Sequence, residues 1–148
     1  MPAAHALLQT LEDAEHWTSG LTDDQIWTAP NGAASIGFHL MHLAGSTDRL
    51  LTYARGAVLD AAQKAALAAE KDPPRASRET LLAELRKAIE AALAQIRNTP
   101  PASVFDVRTV GRAALPTTVI GLLFHAAEHS QRHAGQIVTT AKLVRGAG

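Results

Sequence analysis

Cysteine is absent from this chain of 148 residues, aromatic side chains make up only 4% of it, and its positive and negative charges cancel. Each lack removes a class of protein. Without cysteine there is no disulfide, no thiolate ligand for a metal and no cysteine nucleophile. Fourteen Lys and Arg against fourteen Asp and Glu leave no basic surplus for phosphate contacts, so neither nucleic acid nor an anionic membrane surface is an expected partner. No run approaches the roughly 18 apolar residues of a membrane span. The opening "MPAAHALLQTLEDAEHW" has neither the basic start nor the apolar middle of a signal peptide, and a cytoplasmic protein is expected. Alanine and leucine dominate while β-branched runs are few, which predicts an all-α fold. The length suits one domain, expected to span residues 1–148.

Periodicity places the helices. Leu7, Leu8, Leu11, Ala14 and Trp17 recur at helical spacing and predict a first helix ending near Gly20. "LTDDQIWTAPNGAAS" reads as a loop, and Ser35 as the cap of a second helix carrying Ile36, Leu40, Leu43, Thr47, Leu50 and Ala54, which ends around Gly56. "AVLDAAQKAALAAE" is helical by propensity and reads as a connector; the prolines of "KDPPRAS" end it. Ser77 caps a third helix with Leu81, Leu82, Leu85, Ile89, Leu93 and Ile96 on one face. "NTPPASVFDVRTVGRAALP" reads as a loop, with Val104, Phe105 and Val107 expected to plug one end of the core. Pro116 suits the first turn of a last helix built on Val119, Leu123, Ala126, Ile137, Ala141 and Val144. Four amphipathic helices and one extra connecting helix between the second and third predict a four-helix bundle.

Five of the seven histidines fall in "SIGFHLMHLAG" and "HAAEHSQRHAGQ". With Val119 as zero, a 100° wheel puts His133 near −40°, His129 near −80° and His125 near −120°, so the first two face the bundle. Glu128 points the opposite way, to solvent. An i, i+4 histidine pair spans about 6 Å, the familiar spacing for two imidazoles on one metal, whereas His125 and His133 are about 12 Å apart. A third imidazole must come from the second helix, where the wheel, zeroed on Ile36, puts His39 near −60° and His42 near −120°. Periodicity alone favours His39. Buried imidazoles need partners, few carboxylates lie near them in sequence, and a metal is the economical one.

The segments "PNGAASIGFHLMHLAGSTDRL" and "HAAEHSQRHAGQI", above all the H-x-x-x-H-x-G-Q pattern, resemble the DinB-like (DinB/YfiT) metalloenzyme superfamily. The resemblance runs through essentially the whole chain in helix order. It implies a four-helix bundle with a three-histidine metal site, whose second-helix ligand falls on His42 and whose last-helix ligands fall on His129 and His133, with His39 as the reserve. Met41 and Gly45 depart from the family pattern; Gly45 is expected to interrupt the helix just after His42. Three neutral imidazoles leave an open position on an ion that chemistry allows to be zinc, nickel, iron or copper; zinc or nickel is expected.

The resemblance further implies a thiol S-transferase joining a low-molecular-weight thiol (bacillithiol, mycothiol or glutathione) to an electrophile, or a thiol-dependent isomerase, and a homodimer. Transfer suits a chain that has no thiol of its own. Two other classes stand beside it: a metal-dependent hydrolase at the same residues, which would want a carboxylate base that is not evident, and a non-catalytic, stress-induced binding or dimerisation bundle. Gln136 and His125 are the candidate catalytic groups near the metal, with nothing else assigned. Arg49, Arg112 and Arg132 are candidates to meet an anionic cosubstrate, Asp48 is expected to be exposed, and Trp17, Trp27 and Phe38 read as packing residues.

Overall fold

Each main helix begins where a side chain caps it or a proline starts it. A computed structural model describes residues 1–146. Pro2 opens α1 (Pro2–Thr18). Ser35 accepts a hydrogen bond from the backbone of Phe38 at the start of α3 (Ile36–Ala54), and Ser77 one from Thr80 at the start of α5 (Arg78–Asn98). The remaining elements are α2 (Asp23–Trp27), α4 (Ala61–Ala69), the strands β1 (Val107–Val110) and β2 (Leu115–Thr118), and α6 (Val119–Gly146).

The four long helices close into a ring. α6 packs on α1 and α3, while α5 packs on α3 and α1, so each has two neighbours around one apolar core. Leu7, Leu40, Leu43, Leu85, Ile89, Leu122, Leu123 and Ile137 are sealed inside it. At about 1.5–3 kcal/mol per fully buried aliphatic side chain, this core dominates the stability of the fold. The structure is an all-α bundle with α4 as the connecting helix between its second and third members.

Four expectations are corrected at the periphery. The first long loop contains α2, because Thr22 and Gln25 form a reciprocal capping box that stabilises even a short turn of helix. The second contains an antiparallel hairpin, with Val107 opposite Thr118 and Val110 opposite Leu115. Pro116 therefore lies in β2, not in the first turn of α6; a two-stranded ribbon has edges that tolerate its missing N–H. Phe105 and Val107 do not plug the core, each being 74% exposed, and Val110 takes that place. Arg108 ties the hairpin to the end of α3 by donating from Nε to the Ala54 carbonyl at 3.0 Å.

Gly37 permits one close approach near the site. A Cβ there would sit 2.7 Å from the Trp27 indole, whose Nε1 donates to the Ala76 carbonyl at 2.8 Å. Trp27 thus fixes the start of α3 and the residues before α5 together, confirming a packing role.

Candidate metal centre

The seam between α3 and α6 carries the histidines. Their spacing of three on α3 and four on α6 aligns His39 and His42 with His129 and His133 across it. His42, His129 and His133 each present a ring nitrogen to one cluster, with these atoms all within 4.8 Å of one another. The Nε2 atoms of His42 and His129 lie 2.9 Å apart. Nitrogens on a tetrahedral zinc ion are about 3.3 Å apart, a separation that falls between this 2.9 Å contact and the 4.8 Å span of the set, and imidazoles suit such an ion chemically. The cluster has no fourth ligand among the described residues.

His39 stands behind the cluster. Its Nδ1 is 2.8 Å from Nδ1 of His133; with Nδ1–H of His133 as the donor, the Nε2 lone pair of His133 is left for the cluster. The wheel ranked His39 as the deeper residue of the α3 pair, and it is, at 6% exposure. Depth was not the deciding quantity. The cluster sits at the rim of the core, where His42 emerges, and His39 is too far inside to join it.

Burial keeps His39, His129 and His133 neutral. Burial, and then the charge of His42, lowers the pKa of His39 to about 4. Burial lowers His133 to about 3, with further contributions from His42, His129, His39 and Arg132. His129 is shifted the same way, by burial first and then by its cationic neighbours. At neutral pH their lone pairs are available to a cation.

Two residues that bear on the site were not singled out as its partners from the sequence. Glu70, the C-terminal cap of α4, accepts from Nδ1–H of His42 at 2.7 Å. Its other oxygen accepts from Nη2 of Arg49 at 2.8 Å. A carboxylate that was not evident in the sequence thus stands beside the cluster; the contact spans 28 residues and joins elements with no shared periodicity. Phe38, read as a packing residue, stacks on the His42 ring at a centroid distance of 5.6 Å and an angle of 10°. Gly45 does not interrupt α3, which runs unbroken past it.

Other candidates fall outside the cluster. Gln136 is exposed and is not among the residues lining the adjoining cleft. His125 is half-exposed at the cleft mouth, 5.7 Å between centroids from His129, and bonded through Nδ1 to Glu128 at 2.7 Å. Glu128 also accepts from Arg132, which draws both residues into a surface chain. Asp48 is exposed.

His42 and His129 open onto a cleft of about 680 Å³, enough for a small organic molecule. Arg49, Lys64 and Arg112 line it, and no carboxylate does among the described residues. Leu50, Tyr53 and Leu59 supply apolar wall. No helix among the described residues is long and apolar enough to cross a membrane.

Comparison with known proteins finds a family model, the DinB superfamily, matching residues 6–137. A DinB-like protein from Bacillus cereus is similar in structure at a TM-score of 0.71 and 15% identity, covering 93% of this chain and 89% of that one. A conserved protein from Enterococcus faecalis gives 0.70 and 20%, covering 97% and 95%. A Streptococcus pneumoniae protein gives 0.70 and 15%, covering 97% and 88%. At these identities the likeness concerns the fold. No curated protein matches the chain.

Proposed function

Given that the chain belongs to the DinB superfamily, we propose that His42, His129 and His133 bind one divalent metal ion, zinc or nickel, and that the protein is a thiol-dependent S-transferase. The observation that carries this reading is the convergence of three imidazoles, with no fourth protein ligand among the described residues, beside a cleft lined by cations. When bound, the metal supplies a Lewis acid that holds a thiol as its thiolate at neutral pH.

The chain's own residues do the rest. Burial keeps His129 and His133 unprotonated, so they do not repel a cation. Lys64 and Arg112 draw an anionic cosubstrate into the cleft, and Leu50 and Tyr53 shield its apolar part from water. In transfer the cosubstrate's sulfur forms a bond to the electrophilic carbon and the leaving group departs with its electron pair. The thiol proton leaves by the cleft mouth, where His125 stands as the acceptor. A cytoplasmic setting suits the reaction, since free thiols stay reduced there. A homodimer belongs to the same reading, supported by exposed Phe124 and Ile120 on α6.

Hydrolysis is the second reading, favoured by the carboxylate of Glu70. Both its oxygens are engaged, one by His42 and one by Arg49, so it is poorly placed to take a proton from water. Elemental analysis of untagged protein tests the metal assignment. About one divalent ion per chain, lost in His129→Ala, is the expected result, followed by thiol consumption with an electrophile such as a chloro-nitroarene. Absence of stoichiometric metal after adding zinc or nickel would overturn both enzyme readings.

A further inference from the structure

We propose that Glu70 is a positioning residue for the metal centre: it holds the His42 ring with its proton on Nδ1, turning the Nε2 lone pair toward His129 and His133, and Arg49 in turn holds Glu70. This rests on the reading that the three histidines bind a metal. Three separate features of the chain serve the arrangement.

The first is the carboxylate itself. A carboxylate only accepts, so the 2.7 Å contact requires the proton on Nδ1 of His42, and that leaves Nε2, 2.9 Å from His129, as the ligand atom. Phe38 stacks on the ring face and limits its rotation. A histidine bound to metal through one nitrogen and to a carboxylate through the other is both oriented and made more basic.

The second feature is Arg49. Its side chain is 9% exposed and that of Glu70 12%, so the pair is held largely out of water. A mostly buried ion pair contributes little to stability, because its attraction roughly offsets the lost hydration. Orientation of Glu70 explains it better than stability does. Moreover, Nη1 of Arg49 is a buried nitrogen with no hydrogen-bond partner, a cost that a purely stabilising pair would not carry.

The third is Gly45. A Cβ at this position would stand 2.7 Å from Nη1 of Arg49 and 3.2 Å from Oε1 of Glu70. A side chain there would force the Arg49 guanidinium, one half of the pair that holds His42, to shift. A glycine in the middle of a helix costs about 1 kcal/mol relative to alanine, and here it makes room for the guanidinium.

The test uses untagged full-length protein and reads metal affinity and tautomer, not turnover. Zinc affinity is measured by competition with a chromogenic chelator, on protein shown to be folded by its melting curve. Glu70→Ala should weaken zinc by about 10- to 100-fold. Glu70→Gln should recover part of that loss, because its amide oxygen still accepts from Nδ1–H. Long-range proton–nitrogen spectra of the metal-free wild type should show His42 protonated at Nδ1, with that preference lost in Glu70→Ala. Unchanged zinc affinity in Glu70→Ala overturns the proposal, as does a wild-type His42 lacking the Nδ1 proton. The spectra need no variant, so they decide the matter even if Glu70→Ala fails to fold. A wild type that binds no zinc shows instead that the underlying metal reading is wrong, and the proposal falls with it.

Discussion

The two sides of the histidine cluster are supported in opposite ways. His133 leans inward on another imidazole, His39, in the apolar seam between α3 and α6. His42 leans outward on a carboxylate that comes from α4, a helix whose side chains are all partly or fully exposed. Inside, burial strips protons from the rings; at the rim, hydrogen bonding aims the His42 ring. The contrast teaches that such a site divides its chemistry between a core that sets protonation and a rim that sets direction.

Removing a member of the cluster should erase the distinction altogether. His133→Ala is expected to reduce bound metal from about one ion per chain to a tenth or less, by elemental analysis, since two imidazoles remain for an ion that needs more ligands. Metal bound at wild-type level in this variant would remove His133 from the site.

Next in size is a comparison of the two supports. His39→Ala opens a gap in the core and should destabilise the metal-free fold by about 2 kcal/mol in urea unfolding. Glu70→Gln, on the rim, should leave the urea midpoint closer to wild type while lowering zinc affinity. If the two variants change both properties alike, core and rim are not separate devices.

Acid should act on the inner side. His39 and His133 take up protons at about 4 and about 3 when folded, but near 6.5 when unfolded. Between those values the unfolded chain binds more protons, so stability falls as pH drops from 6.5 toward 4. Thermal melts of metal-free protein should show this, and His39→Leu should flatten part of the slope. A melting temperature that rises on acidification in that window would contradict neutral buried rings.

The smallest effect belongs to the attachment of α4. Asp60 caps this helix, and Gln63 donates to Asp48 at 2.6 Å and to Thr52 at 2.8 Å. Asp60→Ala should weaken its docking by about 1 kcal/mol, seen as faster proteolysis at Lys64 and Lys71 with the bundle's melting temperature almost unchanged. A matching loss of global stability would mean that α4 is integral to the core.

Much of the inner side could be read from the sequence, because apolar stripes and i, i+4 spacing report on a helix's own faces. The stripes of α3, α5 and α6 and the caps at Ser35 and Ser77 are local patterns, and the structure reproduces them. The capping box of Thr22 and Gln25 and the strand β1 lie in segments that read as loops, because turn residues surround them. Glu70 was not legible in that way. Nothing local relates the cap of an exposed helix to a histidine 28 residues earlier. Gly45 was the visible trace, a glycine where a helix former would ordinarily stand; it marks the space taken by Arg49.

The exposure of α4 also bears on time. A helix with no fully buried side chain uncovers little apolar surface when it lifts away, so hydrogen bonds at its two ends carry much of its attachment. One of those bonds is the one that aims His42. The residence time of an ion bound there would therefore depend on how often the loosest helix lets go, as well as on the rigid bundle.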